Sequence, residues 1–140
     1  MAKPIFSDEE LMADMERRFC EKNRFVCPEQ MVYYMTFLLW QASTDTAYVV
    51  LLNRSKYHIR SIRLTEGALH KVNLFSEEIR RQMDSAYSFF IGHTHGSYPV
   101  TPSPEDLHTG KILAMRFPDK PKYLGQVIVN HRMQSTYIQP

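Results

Sequence analysis

The sequence contains only two cysteines among its 140 residues, at Cys20 and Cys27. Their spacing differs from the Cys-x-x-Cys pair typical of zinc-binding ribbons and thiol redox motifs, so they indicate neither kind of site. A disulfide between them would require an oxidising compartment. We therefore expect two ordinary thiols in a reducing environment.

A strong charge imbalance is also missing. Seventeen Lys and Arg residues face fifteen Asp and Glu residues, which leaves a formal net charge of +2. No long block of Lys or Arg is present, and proteins that bind nucleic acid concentrate positive charge in such blocks or on one face. We do not expect nucleic acid as a partner.

Long apolar runs are absent as well. The longest apolar stretch, residues 31–40, is interrupted by Thr36 and falls short of the roughly 20 residues that a membrane-spanning helix needs. The first 18 residues lack the apolar segment of a secretory signal. A hydrophobic content of 44% suits a globular protein. We expect one compact domain in the cytoplasm, without a membrane partner.

The patterns that are present predict an alternation of helices and strands. Ser7 to Glu10 reads as a capping box that begins an N-terminal helix within residues 1–25. Pro28 marks the first turn of a second helix. Strands are predicted at 46–53, 57–64, 87–92, 123–130 and 133–138, with further helices at about 76–85 and after Ser103. The order α-α-β-β-α-β-α-β-β predicts the α/β class, with a single mixed sheet flanked by helices in a domain covering residues 26–140.

One stretch, FFIGHTHGSYPVTPSPED at residues 89–106, combines residue types that bind metals. His93 and His95 stand two apart at the end of a predicted strand, so their side chains project to the same face. Catalytic zinc usually takes three protein ligands and keeps a fourth position open. Asp106, in the first turn of the following helix, is the candidate for the third ligand.

A simpler interpretation exists for each half of this stretch. Ser103-Pro-Glu-Asp106 is a common helix start, with Ser as the N-cap and Pro in the first turn. An isolated His-x-His pair is more often a pair of surface residues than a metal clamp. The combined register of two histidines, a serine and an aspartate favours a site, and a cap that positions Asp106 is compatible with it.

The pattern His93-x-His95-x7-Ser103-x-x-Asp106 resembles the signature of the JAB/JAMM (MPN-type) zinc metalloproteases, in particular their RadC-like branch. That branch typically reads His-Asn-His-Pro-Ser-Gly-Asp-Pro-x-Pro-Ser-x-x-Asp, and this chain has Gly96 and Tyr98 where the branch has Pro and Gly. The segments CPEQMVYYMTFLLW, YVVLLNRSKYHI and EGALHKVNLFSEEI resemble the branch's preceding helix, its first strand and its Gly-Thr-x-Asn region. The likeness covers about residues 26–130.

This resemblance implies a JAB/MPN, cytidine-deaminase-like architecture in which His93, His95 and Asp106 bind Zn²⁺. Zinc lowers the pKa of bound water to roughly 7, and Ser103 would hydrogen-bond the oxyanion formed when water attacks an amide carbonyl. The implied activity is hydrolysis of an amide or isopeptide bond in a protein or peptide, such as a ubiquitin-like tail. The alternative is a non-catalytic MPN-type module that keeps the metal site and binds a protein.

The residue that accepts the proton of the attacking water is the least defined part of the resemblance. Family members use a Glu near the start of the first strand, where this chain has Asp45, one methylene shorter. We expect Asp45 to be the base, with Glu66 as the rival. His58, His70 and His131 are interpreted as surface residues.

Overall fold

The computed structural model describes residues 7–71 and 76–140 and contains one five-stranded sheet with helices on both faces. The helices are α1 (Asp8–Lys22), α2 (Pro28–Leu39), α3 (Glu66–His70), α4 (Glu77–Asp84) and α5 (Pro104–Arg116). The strands are β1 (Thr46–Leu52), β2 (His58–Thr65), β3 (Ser88–Thr94), β4 (Lys122–Val129) and β5 (Ser135–Ile138). The predicted fold class is confirmed. The described residues leave out residues 1–6, which belong to the predicted N-terminal helix region, and residues 72–75, which belong to the segment EGALHKVNLFSEEI.

The sheet is mixed, with the strand order β2-β1-β3-β4-β5. β1 pairs antiparallel with both β2 and β3, and β5 pairs antiparallel with β4. β3 and β4 are parallel, so the chain must cross over between them, and α5 lies within that connection. The crossover therefore brings the start of α5 near the end of β3.

One face of the sheet packs against α3, α4 and α5. Its core contains Leu69 of α3, Met83 of α4 and Leu113 of α5, all buried against Phe89 and Ile91 of β3. Since successive side chains of a strand alternate between faces, His93 continues the series Phe89, Ile91 on this same side. The alternation points the first histidine toward α5.

The other face packs against α2, which buries Met31, Tyr34, Met35 and Leu39. A Cβ at Gly92 would lie 2.4–2.6 Å from the Met35 side chain, so a larger residue at this strand position would force that side chain to move. The described helix α1 buries none of its residues and contacts this core through the half-buried Phe19. α1 therefore lies on the outside of the fold.

The structure differs from the sequence-based prediction in two helices. α3 is an additional helix, begun by Thr65, whose hydroxyl accepts a hydrogen bond from the N–H of Ala68. The sequence predicted a strand at 57–64 and no helix before about residue 76, because five residues are too few to show a helical period. In α5, Leu107 is 46% exposed although it is an apolar residue of a helix that packs on the core. Its buried positions are Asp106, Thr109, Gly110 and Leu113, which share one face at spacings of three and four.

Candidate metal centre

The two histidines of the motif lie at the end of β3, where the strand runs beside β4. His93 is fully buried, and the backbone N–H of His95 donates to the carbonyl of Val129 at 2.8 Å. Nδ1 of His95 lies 2.7 Å from the carbonyl oxygen of Pro99. A carbonyl can only accept, so Nδ1 donates this hydrogen bond, and Nε2 is the nitrogen directed at Asp106.

Asp106 is held rigidly by the start of α5. The Ser103 hydroxyl accepts from the Asp106 N–H at 3.0 Å, and Oδ2 of Asp106 accepts from the Ser103 N–H at 2.9 Å, which completes a capping box. The side-chain amide of Gln126 donates to the Asp106 carbonyl at 3.0 Å. The residue that completes the helix cap is thus also the predicted metal ligand, as both interpretations of the sequence allowed.

The three predicted ligands are brought together. Nε2 of His93 lies 3.1 Å from Oδ1 of Asp106, and Nε2 of His95 lies 3.2 Å from Oδ2 of the same carboxylate. The side chains of His93 and Asp106 are fully buried, while that of His95 is 14% exposed. The site is therefore open on the His95 side.

Gly96, in the loop after His95, stands where the RadC-like branch has Pro, and its backbone conformation suits glycine. Its φ is +65°, and proline, fixed near −65°, cannot adopt that value. A Cβ there would also lie 2.3 Å from the Thr44 side chain. The replacement of the branch's Pro thus accompanies a different local turn, and His95 still reaches Asp106.

Two further residues join the site from α3. Nε2 of His70 lies 3.3 Å from Oδ1 of Asp106 and 3.4 Å from Oε1 of Glu66, and that same Glu66 oxygen lies 3.5 Å from Nε2 of His93. The His70 side chain is 4% exposed, so its interpretation as a surface residue was wrong. The available sequence signal is the spacing of four between Glu66 and His70, which is informative only once a helix is recognised there.

The arrangement fits a cation. Glu66, His70, His93 and Asp106 each offer a ligand atom, and these four atoms lie within 4.8 Å of one another. Within residues 7–71 and 76–140, both ring nitrogens of His93 and Oδ1 of Asp106 are buried without a hydrogen bond, although Nε2 and Oδ1 lie 3.1 Å apart. Leaving a buried polar atom unpaired costs about 1–3 kcal/mol. A divalent metal ion coordinated by Nε2 and Oδ1 would remove that cost for these two atoms.

The charges in the site also favour a cation. Burial alone would raise the pKa of Asp106, but the imidazoles of His70 and His93 and the N–H of Ser103 outweigh it and hold that pKa far below its ordinary value. Burial would likewise lower the pKa of His70, yet contact with Asp106 and the nearby Glu105 and Glu66 raises it. The Asp106 carboxylate is therefore ionised at neutral pH and attracts positive charge.

Asp45 and Glu66 occupy neighbouring positions, but their side chains differ in what they reach. Asp45 lies in the exposed turn before β1, and its carboxylate accepts from the Ser43 hydroxyl at 3.5 Å. In the described part of the chain, the group of four potential ligands includes Glu66 and omits both Asp45 and the predicted ligand His95. The assignment of Asp45 as the base is not tested by this geometry and stays a prediction.

Ser103 is half-buried beside the site, and its oxygen already caps α5. A hydroxyl has one donor in addition to its acceptor lone pairs. Accepting from the Asp106 N–H therefore leaves the Ser103 O–H able to donate. The predicted role of Ser103 toward an oxyanion is compatible with its role as a cap.

The comparison with protein families matches the RadC-like JAB domain over residues 25–117, a range that holds β1 to β3 and all three predicted ligands. The chain belongs to the RadC-like JAB family. It is also similar to a UPF0758 protein of Pelobacter propionicus (strain DSM 2379 / NBRC 103807 / OttBd1), with 28% identity over 112 residues. That alignment covers 74% of this chain and 49% of the relative, so the chain spans about half the length of the curated protein it matches. Among the described residues of this JAB domain, no helix has the length and apolar character to cross a membrane.

Proposed function

We propose that this JAB domain is a zinc-dependent hydrolase of amide or isopeptide bonds, with a protein or peptide such as a ubiquitin-like tail as substrate. The proposal rests on the contacts of His93 and His95 with the carboxylate of Asp106. Glu66 of α3 lies beside these residues. When bound, zinc supplies Lewis acidity to a carbonyl and lowers the pKa of a water molecule.

Two of the three predicted ligands have orientations that suit this role. Nδ1 of His95 donates to the Pro99 carbonyl, and the capping box holds Oδ2 of Asp106 through the Ser103 N–H. Such neighbours of a ligand set its direction and basicity. Because β3 and α5 are both anchored in the core, the distance between the histidines and the aspartate is set by the fold.

We place the proton acceptor at Glu66. Its carboxylate lies 3.5 Å from Nε2 of His93, and its side chain is 32% exposed, so solvent and substrate can reach it. A general base must lie within hydrogen-bond reach of the water it deprotonates, directly or through one further water. Glu66, whose carboxylate lies beside the predicted ligands, can meet this condition for a water bound to the metal, whereas the Asp45 carboxylate contacts Ser43.

Ser103 is the proposed donor to the oxyanion. Its hydroxyl lies at the start of α5, and the hydrogen bond that it accepts comes from the N–H of Asp106, which is itself a proposed ligand. A single oxyanion donor is worth about 3–4 kcal/mol of transition-state stabilisation in a typical hydrolase. The helix N-terminus adds its partial positive charge at the same position.

A second candidate is a non-catalytic module that binds a protein partner and keeps the metal for stability. It is favoured by the four donors of Glu66, His70, His93 and Asp106, since structural zinc sites are closed by four protein ligands whereas catalytic sites leave a position open. The replacement of the family's Glu by Asp45 points in the same direction.

Two measurements test the proposal. Elemental analysis of protein purified without chelators should find close to one zinc per chain, and less than half an equivalent would contradict both candidates. A panel of ubiquitin-like fusions and isopeptide-linked dimers should then show cleavage that a chelator abolishes and added zinc restores. Zinc binding without such cleavage across the panel would favour the non-catalytic module.

A further inference from the structure

His70 of α3 is the one histidine of the site that the family pattern does not supply. We propose that His70 is a further metal ligand, which binds the ion through Nε2 together with His93 and Asp106. The inference rests on the proposed metal site and deepens it, because it changes the donor set from two imidazoles to three.

Distances between the donor atoms support this assignment. In a tetrahedral zinc site with bonds of about 2.0–2.1 Å, neighbouring ligand atoms lie about 3.3–3.4 Å apart. Oδ1 of Asp106 is 3.1 Å from Nε2 of His93 and 3.3 Å from Nε2 of His70. Oε1 of Glu66 is 3.5 Å and 3.4 Å from the same two nitrogens. The two contacts of Asp106 with the imidazoles thus have the spacing that a common central ion requires, and the Glu66 carboxylate lies beside them at a similar distance.

The His70 ring is oriented for ligation by its other nitrogen. Nδ1 lies 2.6 Å from Oγ1 of Thr109, a residue of α5 that is 1% exposed. A metal-binding histidine usually donates from its second nitrogen to such a partner, which fixes the ring and leaves the first nitrogen unprotonated. With Nδ1 engaged by Thr109, Nε2 is the atom directed at Asp106 and Glu66.

The fold holds His70 in place as firmly as it holds the ligands of β3 and α5. Its neighbour Leu69 is fully buried in the core, and the Thr65 cap fixes the start of the same helix. Glu66 and His70 stand one helical turn apart, so they present their side chains to the same point. A histidine on a mobile surface loop would not have these constraints.

Three imidazoles and a carboxylate select among cations. Imidazole suits Zn²⁺, Co²⁺ and Ni²⁺, while Mg²⁺ and Ca²⁺ prefer oxygen ligands. The expected ligand is therefore a late first-row divalent ion. The competing explanation is that His70 is an imidazolium that only forms ion pairs with Asp106 and Glu66 and leaves the metal to the family residues.

Titration with Co²⁺ and Zn²⁺ separates these explanations. We would compare the wild-type chain with His70→Gln, which keeps a side-chain N–H donor near the carboxylates but is a poor ligand, and with His108→Gln, an exposed position on α5. Loss of a ligand should weaken affinity about 100-fold or more and alter the visible Co²⁺ spectrum, which reports the number and type of ligands, while His108→Gln changes neither. Wild-type affinity and spectrum in His70→Gln would overturn the inference.

A second measurement uses only the wild-type chain, so it does not depend on whether a variant folds. Side-chain ¹⁵N–¹H spectra of the wild-type histidines, recorded as Zn²⁺ is added, should show the Nε2 signal of His70 shifting in step with that of His93. An unmoved His70 signal in a zinc-loaded protein would refute His70 ligation and leave the proposed function intact. Failure of the wild-type chain to bind either metal would instead refute both.

Discussion

The backbone N–H of Glu66 donates a hydrogen bond of 2.6 Å to the carbonyl oxygen of Asp45. The two acidic residues therefore flank the same end of the β1–β2 pair, where Thr46 is paired with Thr65. Asp45 is the predicted counterpart of the family's base, and Glu66 extends its carboxylate into the histidine cluster. Because the two residues are adjacent, Glu66 can reach the site from the neighbouring chain segment, whereas Asp45 does not contact it.

Replacement of Glu66 by Gln should lower kcat about 100- to 10,000-fold, the usual contribution of a general base. Steady-state kinetics on whichever panel substrate is cleaved, with zinc content measured in parallel, gives the result. Asp45→Asn is the matched control and should keep most of the turnover. The reverse outcome, with Asp45→Asn inactive and Glu66→Gln active, would return the base to Asp45.

The Ser103→Ala variant should distinguish the role of Ser103 as a helix cap from its proposed role as a donor to the oxyanion. Loss of an N-cap costs about 1 kcal/mol of stability, and Ser76→Ala, which removes the cap of α4, should cost a similar amount. Loss of an oxyanion donor should in addition lower kcat about 100- to 1,000-fold, and only in Ser103→Ala. Denaturant unfolding and kinetics on both variants check this. Equal kcat in the two would limit Ser103 to capping.

Metal removal should destabilise the folded chain. A ligand present at 100 times its dissociation constant adds about 2.7 kcal/mol to the free energy of unfolding. Thermal unfolding with excess zinc and with excess chelator should therefore give clearly different Tm values. Asp106→Asn, which keeps a side chain able to cap α5, should show nearly the same Tm in both solutions. If the wild-type chain had the same Tm with zinc and with chelator, the proposal that the folded chain binds a metal would be contradicted.

Gly92 and Gly67 should respond oppositely to alanine. At Gly92 a Cβ would overlap the buried Met35 side chain, so Gly92→Ala should cost about 1–3 kcal/mol through overpacking. At Gly67, inside α3, a Cβ would meet no heavy atom of the described residues within 4 Å, and alanine favours helix. Urea unfolding should show a loss in the first variant and none in the second. A stable Gly92→Ala would mean that Met35 repacks without cost.

His58 should make stability depend on pH. Burial lowers the pKa of His58, with Glu16 opposing that effect, and its Nε2 lies 2.8 Å from the Ser61 hydroxyl. The unfolded chain, with a histidine pKa of about 6.5, then binds a proton that the folded state resists. The contribution of His58 to the free energy of unfolding is fully present above the unfolded pKa and falls as the pH drops toward the lowered pKa of the folded state. The free energy of unfolding between pH 7.5 and 5.5 should decline more steeply in wild type than in His58→Gln, and equal slopes would contradict this.

Several features could be predicted because they are local. The apolar run before His93 predicts a buried strand, and β3 is buried along its whole length. The Ser-x-x-Asp spacing predicts the cap of α5, which is present with both of its hydrogen bonds. Leu107 shows the limit, since its neighbour Asp106 turns inward to the histidines and rotates Leu107 toward solvent.

The sequence by itself determined the order of helices and strands, apart from α3, and the register of His93, His95, Ser103 and Asp106, because each depends on neighbours a few positions away. Only the tertiary structure decided that Glu66 and His70 belong to the same site. A five-residue helix carries no periodic signal, and its approach to Asp106 is created by the pairing of β1 with both β2 and β3, which acts across long stretches of chain.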